Sequence, residues 1–119
     1  MKVIETSKQL YGYEIKATVT LLEKDIHVLL TGGCLWHTGA VSMFCNGIEE
    51  GLIIAPNHKE GEISKTWANA ISKHFNCRAT VVCGIHYDNA TKEMIKEIVK
   101  KSDEILQDII TQLMKEKRG

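Results

Sequence analysis

Tyr13-Glu14-Ile15-Lys16-Ala17-Thr18-Val19-Thr20-Leu21 alternates without a break, with Tyr13, Ile15, Ala17, Val19 and Leu21 on one side and Glu14, Lys16, Thr18 and Thr20 on the other. Successive side chains of a strand point to opposite faces, so a period of two predicts a strand with one buried and one wetted face. Glu23-Lys24-Asp25 is a short polar break, and Ile26-His27-Val28-Leu29-Leu30-Thr31 reads as a second strand that returns antiparallel through a hairpin. Gly32-Gly33 ends it and opens a loop. Working outward, Ala40-Val41-Ser42-Met43-Phe44-Cys45 predicts a third strand and Asn46-Gly47 a turn. Leu52-Ile53-Ile54-Ala55 predicts a fourth strand, stopped by Pro56. These four strands are expected in meander order.

From about Glu60 to Phe75 the period changes. Ile63, Trp67, Ala70, Ile71 and Phe75 form one apolar stripe, which predicts a helix lying on the sheet. Cys77 to Ile85 is rich in β-branched residues and predicts a fifth strand, here with a parallel partner, after which Asp88 or Asn89 is placed to cap a last helix. That helix carries Ile95, Ile98, Ser102, Leu106, Ile109 and Leu113, widened by neighbours such as Val99 and Ile105. So broad a stripe asks for two neighbours, and a homodimer through the C-terminal helix is the expectation. Lys115 to Gly119 reads as a frayed tail. The sum is one α+β domain over residues 1–119: a single mixed, mostly antiparallel sheet of about five strands, in the order β-β-β-β-α-β-α, with two helices.

Composition narrows the function classes. The 119 residues include 15 basic and 15 acidic ones, which cancel and remove the broad positive field that nonspecific nucleic-acid binding uses. No apolar run approaches the roughly 20 residues of a membrane helix, and Met1-Lys2-Val3-Ile4-Glu5 has no signal core, so the cytoplasm is the expected compartment. Cys34, Cys45, Cys77 and Cys83 form no C-x-x-C pair and sit in or beside strand-like runs, as buried thiols do.

Three histidines follow apolar strands in similar ways: His37 after Gly33-Cys34-Leu35-Trp36, His58 in Pro56-Asn57-His58-Lys59-Glu60, and His86 in Gly84-Ile85-His86-Tyr87-Asp88-Asn89. If their loops share one rim of the sheet, they form a pocket of three imidazoles with Lys59, Asp88 and two helix starts. Such a rim suits a phosphate, met by Lys59, protonated His and backbone N–H groups at Gly32 and Gly33. It also suits a metal held by His37, His58 and His86, although no H-x-x-x-H or H-E-x-x-H pair supports that, and a metal is not expected. Taken singly, each histidine is explained by ordinary loop hydrogen bonds. A nucleophile built from Cys34 or Cys45 beside a histidine is the weakest reading. Trp36 is placed to cover an exposed site, whereas His27 and His74 read as structural.

The Gly32-Gly33 to Val41 stretch, Pro56-Asn57-His58-Lys59-Glu60 and above all Gly84-Ile85-His86-Tyr87-Asp88-Asn89 resemble the prenylated flavin chaperone (LpdD-like) family. These are small accessory proteins of UbiD-type gallate and phenolic acid decarboxylases, similar in turn to proteasome assembly chaperones. With element order the resemblance spans roughly Tyr13 to Leu113. It implies a proteasome-assembly-chaperone-like fold, a dimer, and a non-catalytic accessory protein that helps a flavin-dependent decarboxylase client acquire or keep prenylated FMN. His37, His58, Lys59, His86 and Asp88 would then contact the cofactor phosphate or the client. A small metal-dependent enzyme and a proteasome-type assembly chaperone are the competing readings.

Overall fold

Two alternating strands cannot bury their apolar face alone, and the chain supplies four more strands and two helices to cover it. The computed structural model describes residues 1–56 and 58–118; Asn57 and Gly119, and the side chains of Lys117 and Arg118, lie outside the described residues. The elements are β1 (Lys2–Leu10), β2 (Tyr13–Leu21), β3 (Ile26–Gly33), β4 (Ala40–Cys45), β5 (Ile48–Ile54), α1 (Gly61–Phe75), β6 (Arg78–His86) and α2 (Lys92–Arg118). The helix α2 thus runs through most of the expected frayed tail, whose last residue, Gly119, is not described.

The sheet has six strands, in the order β1-β2-β3-β6-β4-β5, so two expectations are corrected. The first is the strand count, which missed β1. Only Ile4 of that strand is buried, and an edge strand with a single core residue leaves no alternation to read. Its turn, Tyr11-Gly12, has positive φ at both residues, the geometry of a tight two-residue hairpin. The second is the meander. The strand β6 inserts between β3 and β4, parallel to β3 and antiparallel to β4, and so separates two strands that follow one another in sequence.

Both helices pack on one face. Ile15, Ala17 and Val19 of β2, Val28 and Leu30 of β3, and Val81 and Cys83 of β6 meet Trp67 and Ile71 of α1 and Ile105 and Ile109 of α2 in one core. A buried hydroxyl pair, Ser42 Oγ to Ser64 Oγ at 2.7 Å, ties α1 to β4. The stripe on α2 finds both of its neighbours inside the chain: Ile98, Ile105, Leu106, Ile109 and Leu113 are buried against the sheet and α1. The cap of α2 is Thr91, whose Oγ1 accepts from Met94 N at 3.1 Å, in place of the expected Asp88 or Asn89. Among the described residues no helix covers the opposite face of the sheet, and across it runs the cross-strand row Thr18, Leu29, Val82, Val41 and Ile53.

Among the described residues no helix is long and apolar enough to cross a membrane. Of the four cysteines only Cys83 is buried, and the other three are half-buried.

Candidate functional site

The insertion of β6 decides where the histidines go. The strand β5 is antiparallel to β4, which is antiparallel to β6, which is parallel to β3; hence β3, β5 and β6 all point the same way. Their C-terminal ends form one rim, the place where open sheets with such strands hold ligands. His37 lies after β3, His58 after β5, and His86 is the last residue of β6.

Backbone lacing brings the three loops into contact. To reach β4 the chain must cross the end of β6, and it is fixed there at both ends: Cys34 N donates to His86 O and Gly39 N to Cys83 O, each at 2.9 Å. Ala55 N donates to Gly39 O at 2.8 Å, which draws the end of β5 alongside. The crossing is close enough that a Cβ at Gly84 would overlap the His37 carbonyl. A Cβ at Gly33, whose φ is +83°, would likewise overlap the His86 carbonyl.

The imidazoles converge. The rings of His37 and His58 have centroids 4.8 Å apart, and those of His37 and His86 6.3 Å apart. His37 Nδ1 lies 3.1 Å from Leu35 O and His58 Nδ1 2.7 Å from Pro56 O; a carbonyl only accepts, so both Nδ1 atoms donate. His86 Nε2 lies 2.9 Å from Asp88 Oδ1, in an exposed pair. His37 Nε2 lies 2.9 Å from Oε2 of Glu60, whose side chain is only 11% exposed.

These histidines stand at the polar end of a cleft of about 570 Å³ between the start of α1, the end of β6 and the start of α2. Glu60 and Glu62 line it as well, and the rest of its lining is largely apolar, with Ile63, Ile85, Tyr87, Ile95, Ile98 and Val99. Tyr87 is anchored by its O–H, which donates to Leu10 O at 2.9 Å, and burial pushes its phenol pKa up. Ile95 and Val99, expected in the buried stripe, are 44% and 40% exposed because they face this cleft.

Of the residues singled out in the sequence, His37, His58, Lys59 and His86 line the cleft. Gly32 and Gly33 do not. They are buried at the end of β3, paired with Ile85 and His86, so the loops close over them and their backbone offers no open anion cradle. Asp88 stands outside the cleft and reaches it through His86. The start of α1 is itself acidic, with Glu60 at the cap and Glu62 in the first turn, so an anion there is met by Lys59 and the imidazoles more than by the helix dipole. Cys34 Sγ donates to His86 O, 3.5 Å away, which pairs it with the backbone and not with an imidazole. Burial pushes the Cys83 thiol far above its usual range, a poor setting for a nucleophile. Trp36 and Leu35 stand 50% and 60% exposed on the crossing loop. Sequence reasoning missed Glu60 and the apolar walls; the signal for Glu60 was its place two residues after His58, where the chain turns into α1.

Comparison with known proteins gives three likenesses. The family model described as "Prenylated flavin chaperone LpdD-like domain" matches residues 9–114. "Protein LpdD" of Lactiplantibacillus plantarum is 26% identical over 107 residues, covering 86% of this chain and 79% of that protein. The crystal structure of a chaperone complex for yeast 20S proteasome assembly superposes with a TM-score of 0.55 at 17% identity, over 97% of this chain and 96% of the other. This last likeness establishes the proteasome-assembly-chaperone-like fold.

Proposed function

The chain belongs to the LpdD-like family of prenylated flavin chaperones, and from that premise we propose that its cleft receives the prenylated FMN of a client decarboxylase. Its role is that of a non-catalytic accessory chaperone. In this reading it works in the cytoplasm beside its client, holding the cofactor until the enzyme takes it.

One observation carries the proposal: a largely apolar cleft is also lined by three imidazoles and Lys59, beside Glu60 and Glu62. A prenylated flavin is a largely apolar fused ring system with one polar dione edge, joined through a ribityl chain to a phosphate, and the cleft offers both apolar and cationic side chains. The volume of about 570 Å³ falls within the roughly 300–1,000 Å³ usual for small-molecule sites. Ile63, Ile95, Ile98 and Val99 would hold the ring away from water, and Tyr87 offers an aromatic edge. Lys59 and His86 would meet the phosphate, since a charge-assisted hydrogen bond is about twice as strong as a neutral one. When bound by the client, the prenylated flavin would supply an electron sink for decarboxylation; this chain's residues would bind it, orient it and exclude water. Leu35 and Trp36, exposed beside the cleft, give the client a surface from which to collect it.

The test is a fluorescence titration of the purified protein with FMN and with reduced prenylated FMN. Wild type is expected to bind, and His58→Ala combined with His86→Ala, or Lys59→Ala alone, to weaken binding at least about tenfold. No binding by wild type, or undiminished binding by both variants, removes the proposal.

A further inference from the structure

We propose that His37, His58 and Glu60 hold one divalent first-row transition metal ion on the wall of the cleft, with a coordination position left open toward its interior. This does not rest on the flavin reading. It starts from the orientation of two rings. Each Nδ1 donates to a backbone carbonyl, Leu35 O for His37 and Pro56 O for His58, which fixes the ring and directs Nε2 elsewhere. Metal-ligating histidines are held in this way, one nitrogen on a carbonyl and the other on the ion.

His37 Nε2 then comes within 2.9 Å of Glu60 Oε2. Both atoms are sealed from solvent, and neither has a hydrogen-bond partner, because at that distance they stand off the line a hydrogen bond needs. With His37 neutral and its proton on Nδ1, a buried carboxylate oxygen and the bare Nε2 lone pair facing one another are costly. A cation seated to the side of the line joining them takes a lone pair from each. His58 supplies the third donor: one ligand atom from each of His37, His58 and Glu60 lies within 4.8 Å of the others. Tetrahedral zinc, with bonds near 2.1 Å, separates its ligands by roughly 3.4 Å, so closure takes side-chain rotations of about 1 Å.

The carboxylate is held for this purpose. Lys59 N donates to Glu60 Oε1 at 3.1 Å, and the carboxylate packs so closely on Gly39 that a Cβ there would displace it. Two imidazoles and one carboxylate form a donor set used by open zinc and non-haem iron sites. Cys34, His86 and Asp88 also lie within reach of one another, but two of them are exposed and His86 Nε2 is already paired with Asp88. No atom of that second set is left buried and unpartnered among the described residues.

The experiment uses the untagged full-length protein, stripped with a chelator and titrated with Co²⁺ in the absence of flavin. Binding is followed by d–d absorption, and Zn²⁺ is then added in competition. One ion per chain is expected. His37→Ala and the near-isosteric Glu60→Gln should each bind at least about 10- to 100-fold more weakly, whereas His74→Ala, exposed on α1, should match wild type. Zn²⁺ should raise the Tm of wild type but not that of Glu60→Gln, whose circular dichroism reports whether it is folded. If His37→Ala does not fold, Glu60→Gln decides. No ion bound at micromolar concentration, wild-type binding by Glu60→Gln, or loss confined to His86→Ala would each overturn the assignment.

Discussion

Gly84 faces the carbonyl of His37, and Gly33 the carbonyl of His86, with no room for a Cβ at either position. The convergence of the histidines therefore depends on residues that make no contact with any ligand. Gly84→Ala must push the crossing loop off β6, at a cost of about 1–3 kcal/mol by the usual scale of overpacking. Gly51→Ala, where a Cβ would meet nothing within 4 Å, should stay within about 0.5 kcal/mol of wild type. Urea denaturation of the two variants gives the comparison, and equal stabilities would contradict the close-crossing geometry. At this scale the sequence was legible where a residue type announces itself. Histidines that follow strands stood out; Glu60 did not, because a carboxylate at a helix start is ordinary and its burial is a tertiary fact. Gly32 and Gly33 were noticed for backbone freedom but serve close packing of the loops, a distinction that sequence does not carry.

Single elements were read best where a period ran unbroken. The strand β2 and both helices lie close to where their apolar spacing places them, since alternation and a 3.6-residue stripe are local signals. The strand β1 escaped because its pairing with β2 does the work that side-chain burial does elsewhere. The breadth of the α2 stripe was visible, but its cause was not: part of it faces the sheet, part faces α1, and Ile95 and Val99 face the cleft. The join between α1 and β4 is a testable piece of this packing. Ser42 and Ser64 share a buried hydroxyl bond of 2.7 Å, and Ser64 Oγ also donates to Gly61 O. Ser64→Ala alone should cost about 1–3 kcal/mol by stranding the buried Ser42 hydroxyl, and adding Ser42→Ala should cost less than the two single changes summed. Strict additivity in a double-mutant cycle would show that the pair is not coupled.

For the molecule as a whole, function follows from one topological choice. Had the strands formed a meander, His37 and His86 would end far apart; with β6 between β3 and β4, three strand ends share one rim and three imidazoles share one cleft. Local patterns could not reveal that choice, because the pairing of residues 26–33 with 79–86 is set by long-range packing. The three histidines that follow strands suggest a shared rim, and the pairing of β6 between β3 and β4 brings their loops together.

The central claim, that flavin enters this cleft, is tested most directly by methyl-resolved NMR of the isoleucine, leucine and valine side chains during titration with FMN or prenylated FMN. Shifts are expected at Ile63, Ile85, Ile95, Ile98 and Val99, with Leu29 and Ile53 on the uncovered face of the sheet silent. Shifts confined to Leu29 and Ile53, or none at saturating flavin, would contradict it.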